Sequence, residues 1–256
     1  MNYLNHFNLF ENPFLNEFYF ETKERKEALT RLEILLETGG IMHIYGDYGV
    51  GKTLLLKHFI KKMPGNFQAV LIEYTALEPY CFLLEISNEI GLKNRNNTTN
   101  LVTQIHKFVK EANKNIVLII DEAQELKTDS IEALKLIINP YLSSNKISLV
   151  LSSALSFKKR LASCPAFKQR INYQIFLTPL SLDESKNYLY ARLKNINCQS
   201  NIFADEAINQ IIQLTEGIPR EINKFGTLCL MNAMSENKKY IDLRVVENVK
   251  KELSLF

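Results

Sequence analysis

The stretch "IMHIYGDYGVGKT", residues 41–53, decides the fold, because an apolar segment runs straight into a glycine-rich loop. Residues 41–45 are typical of a short buried strand, and residues 46–53 have the spacing G-x-x-x-x-G-K-T. Glycines in such a loop let backbone N–H groups turn inward around phosphate oxygens, and the following helix points its positive end at them. The stretch therefore predicts a strand, a phosphate-binding loop and a helix in succession.

Two side chains at the end of this loop have specific expected roles. Lys52 is expected to reach the β- and γ-phosphates of a nucleotide, and the Thr53 hydroxyl is expected to hold Mg²⁺. The predicted cofactors are therefore ATP and Mg²⁺. A chance match is remote, since the full motif lies between an apolar strand and a helix. The residues predicted to bind the nucleotide are Gly46, Asp47, Tyr48, Gly49, Val50, Gly51, Lys52, Thr53 and Leu54.

A second motif, "VLIIDEAQ" at residues 117–124, is an apolar strand that ends in two carboxylates. Asp121 is expected beside Mg²⁺, as at the acidic strand end of P-loop enzymes. Glu122 is expected to orient and activate the attacking water. Taken alone, the motif fits a strand that ends in solvated acids equally well. Its occurrence downstream of a phosphate loop favours the catalytic interpretation.

Apolar strands alternate with helical segments through the first two thirds of the chain. The predicted strands are residues 41–45, 69–74, 116–121, 147–153 and 173–178. Because these runs are apolar throughout, they indicate a parallel sheet covered by helices on both faces. The predicted fold class is α/β, with a P-loop NTPase core.

After Pro179 the strands cease, and four segments with helical periodicity follow. Asp183 and Asp205 are expected at helix N-caps in this region. The predicted domains are a nucleotide-binding core with an N-terminal aromatic arm, residues 1–180, and a small all-α lid, residues 181–256.

Composition excludes several classes of protein. Hydrophobic residues make up 46% of the chain, and the net charge of +3 is too small to demand nucleic acid. The longest apolar run, "IVLII" at 116–120, is far shorter than the ~20 residues that span a bilayer. The start of the chain lacks the pattern of a secretory signal, and the four cysteines have no metal-ligand spacing. A cytoplasmic protein without a transmembrane segment is expected, at the inner membrane only through a partner.

Three weaker signals concern polar residues later in the chain. Arg170 in "KQRI" is, from spacing alone, best interpreted as a solvated surface cation. Arg220 in "EGIPREIN" follows a turn that would aim it in one direction, with a surface ion pair as the equal alternative. Ser152 and Ser153 end the fourth predicted strand. Two interpretations are open: a hydroxyl here contacts the γ-phosphate or the attacking water, or it has only a structural role at the strand end.

The order of phosphate loop, "DEAQ", "QRI", "GIPR" and helical lid resembles the AAA+ ATPases of the ExeA/GspA type. The pilus-biogenesis ATPase MshM is similar, and so are the transposition ATPases of the TnsC/TniB kind. The opening "YLNHFNLFENPF" is similar to the start of ExeA and MshM proteins. Full-length GspA-type proteins continue into a membrane segment and a peptidoglycan-binding domain. The present chain stops just after the lid, so neither is expected here.

The resemblance gives the weak signals roles. It implies that Arg170 is an arginine finger entering the neighbouring subunit's site, and therefore that a nucleotide-dependent homo-oligomer forms. It implies that Arg220 is a lid arginine that senses the γ-phosphate. The family often carries Gly-Gln-Pro-Glu-Leu after the fourth strand, where this chain has "SSALSF" at 152–157. The family glutamine is thus replaced by Ala154, and Ser153 is assigned as the sensor, with Ser152 as the alternative.

Two functions of different classes follow. The first is an accessory or assembly ATPase of a type II secretion, type IV pilus or DNA-uptake system, which would have a protein of that machinery as its partner. The second is a DNA-binding transposition regulator, for which Lys158, Lys159, Arg160 and Lys168 form a local basic cluster. A third possibility is an ATP-binding switch with little turnover. The predicted catalytic residues are Lys52, Glu122, Ser153, Arg170 and Arg220, and the predicted Mg²⁺ ligands are Thr53 and Asp121.

Overall fold

The computed structural model describes residues 3–92, 98–142, 144–198 and 202–253. Contacts along the chain divide it into two compact units. The α/β unit comprises Lys23–Tyr48 and Leu55–Leu177. The helical unit comprises Met1–Thr22, Gly49–Leu54 and Thr178–Phe256. Each unit has its own hydrophobic core.

The α/β unit contains one parallel sheet of five strands in the order β2-β3-β4-β1-β5. The strands are β1 Gly40–Gly46, β2 Phe67–Ile72, β3 Asn115–Ile120, β4 Ile147–Ser153 and β5 Ile171–Leu177. All seven residues of β4 are buried, which requires cover on both faces of the sheet. The edge strand β5 instead alternates between more and less exposed residues. The predicted fold class, a parallel α/β P-loop core, is confirmed.

Helices connect the strands and cover the sheet. In chain order they are α1 Tyr3–His6, α2 Lys23–Thr38, α3 Lys52–Lys62, α4 Pro79–Glu89, α5 Thr98–Glu111, α6 Thr128–Ile138, α7 Phe157–Ala162, α8 Pro165–Lys168, α9 Leu182–Asn195, α10 Asp205–Thr215, α11 Pro219–Ser235 and α12 Leu243–Leu253. Short 3-10 turns at Ala123–Glu125 and Asn139–Tyr141 flank α6. The short helices α7 and α8, between β4 and β5, were not predicted from the sequence.

Parallel pairing brings three strand ends to one edge of the sheet. Tyr45 of β1 pairs with Ser153 of β4, and Leu151 of β4 pairs with Ile120 of β3. The phosphate loop therefore leaves β1 at the same edge where β3 delivers Asp121.

The helical unit contains α1 and α9 to α12. Helix α9 begins with a capping box, in which the Ser181 hydroxyl accepts from the Glu184 N–H and the Glu184 carboxylate accepts from the Ser181 N–H. The predicted N-cap at Asp183 is therefore wrong by two positions. The N-cap of α10 is Ala204, which provides no side-chain cap, so Asp205 lies in the first turn. Carboxylates in the first turn stabilise a helix through its dipole, so they give a sequence pattern similar to that of an N-cap.

The N-terminal arm is anchored within the helical unit. Arg192, only 3% exposed, donates to the backbone oxygen of Asn16 at 2.8 Å and to its Oδ1 at 2.6 Å. Phe14 is buried and lies over the backbone of Gly226 in α11. The arm was predicted to be part of the core, and contacts along the chain group Met1–Thr22 with the helical unit. The division into residues 1–180 and 181–256 stays a prediction.

The contact between Phe14 and Gly226 predicts an inverted effect of Gly226→Ala. Alanine inside a helix normally stabilises by about 0.5–1 kcal/mol relative to glycine. Here the added Cβ would lie 2.5 Å from Phe14 Cε2. Overpacking of this kind costs ~1–3 kcal/mol. We expect the free energy of unfolding to fall by an amount in that range in denaturant titrations.

The matched background is Phe14→Ala, which removes all three ring atoms that lie within 3 Å of the added Cβ. There, Gly226→Ala should be close to neutral. An equal loss in both backgrounds would contradict the proposed contact.

Candidate functional site

The phosphate loop has the backbone that its glycines permit. Gly49 has φ +81° and Gly51 has φ +101°, both in the left-handed region that favours glycine. Helix α3 starts at Lys52, directly after the loop, so the N–H groups of its first turn lie at the loop's end. Lys52 is 5% exposed, and Val50 is fully buried. This backbone is suited to binding anions through amides and a helix N-terminus.

Arg220 lies against this loop inside the helical unit. Its backbone N–H donates to the Gly49 carbonyl at 3.3 Å. A Cβ on Gly49 would lie 2.7 Å from Arg220 Cβ and 3.0 Å from Ile218 Cγ2. Pro219 begins α11, which places Arg220 in the first turn with an exposed side chain. The structure therefore brings together the loop and the arginine that the sequence singled out.

The two carboxylates follow β3 in a tight turn. Asp121 is 2% exposed, and its Oδ1 accepts from the Glu122 N–H at 3.0 Å. Glu122 itself has φ +50° and ψ +40°, an uncommon conformation for a residue other than glycine. Its carbonyl accepts from the Thr75 hydroxyl at 3.0 Å. Hydrogen bonds therefore restrain both the N–H and the carbonyl of Glu122.

Gln124 is the last residue of the "DEAQ" motif, and the sequence alone did not predict a role for it. Its Nε2 donates to Glu122 Oε2 at 2.5 Å, and its Oε1 accepts from the Ala154 N–H at 2.8 Å. Its position two residues after Glu122, the predicted base, is the sequence feature that could have identified it. The partner Ala154, after β4, is not recognisable without the fold.

The two candidate serines at the end of β4 have different surroundings. Ser153 donates to the Ala154 carbonyl at 3.0 Å, which leaves its oxygen to accept from His43 Nε2 at 2.7 Å. Burial, with the nearby charge of Lys158, lowers the pKa of His43 to about 4, so this histidine is neutral at pH 7. The buried Ser152 hydroxyl has no hydrogen-bond partner within the described part of the chain.

Arg170 lies away from this edge of the sheet. It directly precedes β5, whose first residue pairs with Ile41 and whose last pairs with Gly46. A strand rises about 3.3 Å per residue, so Arg170 lies roughly 20 Å from the edge where β1 enters the loop. Its guanidinium donates to Asn139 Oδ1 at 2.7 Å, and its side chain is half-buried.

The predicted basic cluster is only partly a solvated surface. The Lys158 ammonium lies 3.9 Å from the centre of the Tyr45 ring. The Arg160 guanidinium bonds the Leu126 carbonyl, beyond the "DEAQ" turn. Lys159 and Lys168 are exposed.

Because Gly49 contacts Arg220, we expect Gly49→Ala to lower the free energy of unfolding by more than the positive φ of Gly49 alone explains. A side chain in the left-handed region costs roughly 1–2 kcal/mol. The matched control is Gly91→Ala, since Gly91 has φ +90° but no atom of the described residues within 4 Å of an added Cβ. We expect Gly49→Ala to lower the free energy of unfolding by at least ~1 kcal/mol more than the control.

Gly49→Ala should also weaken binding of a fluorescent ATP analogue, while Gly91→Ala should leave it unchanged. Equal effects of the two substitutions on both measurements would refute a close contact at Gly49.

Comparison with known proteins adds sequence relatives. Residues 35–161 match the family model described as "AAA domain". The chain is 28% identical over 255 residues to general secretion pathway protein A of Aeromonas hydrophila, covering 93% of this chain and 46% of that protein. The chain spans about half the length or less of the curated relatives it matches.

Solved structures show the same fold. Cdc6p of Pyrobaculum aerophilum matches with a TM-score of 0.76 and 16% identity, over 95% of this chain and 71% of that one. The Aeropyrum pernix ORC2 protein, in ADPNP–ADP complexes, matches with a TM-score of 0.71 and 17% identity, over 95% and 72%. Across the described residues, no helix is both long and apolar enough to cross a membrane. The chain thus carries a match to an AAA domain at residues 35–161 and is similar over most of its length to a protein of the GspA (ExeA) type.

Proposed function

We propose that this protein is a Mg²⁺-dependent ATPase of the AAA+ type that serves as an accessory or assembly factor of a secretion or pilus apparatus. One observation carries the ATPase proposal. The acidic turn of Asp121 and Glu122 follows β3 at the same sheet edge where β1 leads into the phosphate loop.

Different residues of the chain bind the phosphates and the metal ion. The loop amides and the buried Lys52 bind the phosphates, because they present N–H donors and a positive charge with little competing water. The Thr53 hydroxyl and the Asp121 carboxylate are the oxygen ligands that Mg²⁺ prefers together with substrate phosphates. Asp121 fits this role, since a carboxylate 2% exposed to solvent favours a cation beside it. Bound Mg²⁺ neutralises the charge that develops on the phosphates.

Hydrolysis requires a base and a means of sensing the phosphate. Glu122 accepts the proton of the attacking water and orients it, which needs a carboxylate held in a fixed position. Of the two serines, Ser153 remains the predicted sensor, although His43 and Ala154 already contact its hydroxyl. The Ser152 hydroxyl, which has no hydrogen-bond partner among the described residues, is available to bond a ligand. Arg220, whose backbone N–H donates to the Gly49 carbonyl, belongs to the lid and senses the γ-phosphate.

Arg170 fits a site shared between subunits. Because it lies roughly 20 Å along β5 from the edge of its own phosphate loop, its guanidinium is too far away to serve that site. A finger arginine supplied by a neighbour contributes about 10³–10⁵ in rate. A homo-oligomer that forms with nucleotide follows from this assignment.

The secretion assignment rests on the match to general secretion pathway protein A, which extends over 93% of this chain. The partner would then be a protein of a secretion, pilus or DNA-uptake apparatus. The alternative, a DNA-bound transposition regulator, is based on the resemblance to the TnsC/TniB kind and on a cluster of four cations. Two of them, Lys158 and Arg160, contact other groups of the chain. The match to the secretion protein over most of the chain favours the first function.

The first test concerns binding. Lys52→Ala should weaken binding of an ATP analogue about 10- to 100-fold, since a hydrogen bond to a charged group is worth ~1.5–3 kcal/mol. The matched control is Lys61→Ala, an exposed lysine on the same helix, which should bind as wild type. Calorimetric titration measures both. Unchanged affinity of Lys52→Ala would rule out the assigned phosphate site.

The second test concerns hydrolysis. Glu122→Gln keeps the shape of the side chain but removes the base, so we expect ATP binding to persist while kcat falls about 10²–10⁴-fold. Glu125→Gln, three residues away and exposed, is the control and should turn over normally. Phosphate release measures the rate. Wild-type turnover by Glu122→Gln would exclude the role of Glu122, and very low wild-type turnover would favour an ATP-binding switch.

The third test concerns sharing of the site. Arg170→Ala should bind ATP but lose hydrolysis, whereas Lys52→Ala should lose hydrolysis because it binds ATP weakly. Mixing the two variants should restore part of the turnover, because some interfaces then combine an intact loop with an intact finger. Specific activity of the wild type should also rise with protein concentration.

If subunit exchange is demonstrated and the mixture stays inactive, the shared site is wrong. Normal hydrolysis by Arg170→Ala alone would make Arg170 a surface cation, with Arg160 and Lys168 as the next candidates.

A further inference from the structure

Glu122 has a fixed backbone but a side chain that needs a separate restraint. Its N–H donates to Asp121 Oδ1, and its carbonyl accepts from the Thr75 hydroxyl. These bonds fix the Cα–Cβ direction. They leave the side-chain torsions of a half-buried glutamate free to place the carboxylate in several positions.

The Gln124 amide supplies the missing restraint. Its nitrogen contacts Glu122 Oε2 at 2.5 Å, and its oxygen accepts from the Ala154 N–H at 2.8 Å. An amide is planar, with donor and acceptor on opposite sides, so both bonds together fix its orientation. Gln124 is 6% exposed, and leaving such an amide unpaired would cost about 1–3 kcal/mol. The bridge between the end of β3 and the end of β4 is therefore stable.

We propose that Gln124 is a positioning residue for hydrolysis, which holds the Glu122 carboxylate in place and ties it to the end of β4 through Ala154. The inference rests on the proposed role of Glu122 as the base. Ala154 directly follows Ser153, so a displacement of this strand end on nucleotide binding would move the amide and, with it, the carboxylate. Glutamine is required because Glu122 needs a donor and the Ala154 N–H needs an acceptor.

Gln124→Glu separates the two bonds. A glutamate at this position still accepts from the Ala154 N–H, but it has no N–H for Glu122 and repels that carboxylate. A displacement of about 1 Å at a reacting group costs ~10²-fold in rate. We therefore expect kcat to fall about 100-fold, with unchanged affinity for an ATP analogue. Gln124→Met, which breaks both bonds, is a second variant and should show the same separation of kcat from affinity.

A double-substitution cycle with Glu122→Gln distinguishes positioning from a general structural effect. If Gln124 acts only through the base, adding Gln124→Glu to Glu122→Gln should lower the residual kcat by less than about twofold. If the two losses multiply instead, Gln124 acts independently of Glu122 and the inference is overturned.

The remaining outcomes separate this inference from the proposed function. Wild-type kcat in Gln124→Glu, with Glu122→Gln inactive, overturns the positioning role alone. Weakened analogue binding in Gln124→Glu and Gln124→Met also overturns it, since positioning of a base leaves binding intact. Full turnover by Glu122→Gln removes the base assignment and the positioning role together.

Discussion

Parallel pairing of β1 with β4 and of β4 with β3 is the constraint on which the site depends. Strands that run in the same direction end at the same edge, so chain segments far apart in sequence deliver their terminal residues together. Residues 46–53, 121–124 and 152–154 all follow or end these three strands. A shift of one position in either pairing would turn the polar ends toward the opposite face, because side chains alternate along a strand.

Around this edge, short-range bonds hold individual groups in place. Glu122 is fixed through its backbone by Asp121 and Thr75, and through its carboxylate by Gln124. The loop is fixed differently, since Gly49 contacts the backbone of Arg220 in the helical unit. The base and the phosphate loop are thus restrained by different elements.

The sequence predicts those parts of the structure that depend on local pattern. Fully buried parallel strands are apolar throughout, so β4 was located at its observed bounds. The N-caps of α9 and α10 were misplaced, because acids in the first turn give nearly the same pattern as a cap. The bonds from Gln124 to Ala154 and from His43 to Ser153 join residues 30 and 110 positions apart, and no local pattern encodes them.

The most direct measurement is a crystal structure of the chain with a non-hydrolysable ATP analogue and Mg²⁺. The proposal predicts phosphates bound by the loop amides and Lys52, Mg²⁺ bound by Thr53 and Asp121, and the Glu122 carboxylate facing the γ-phosphate through a water. An arginine from a neighbouring subunit should complete the site. A nucleotide bound elsewhere, or phosphates at this loop with Glu122 directed away from them, would contradict the account.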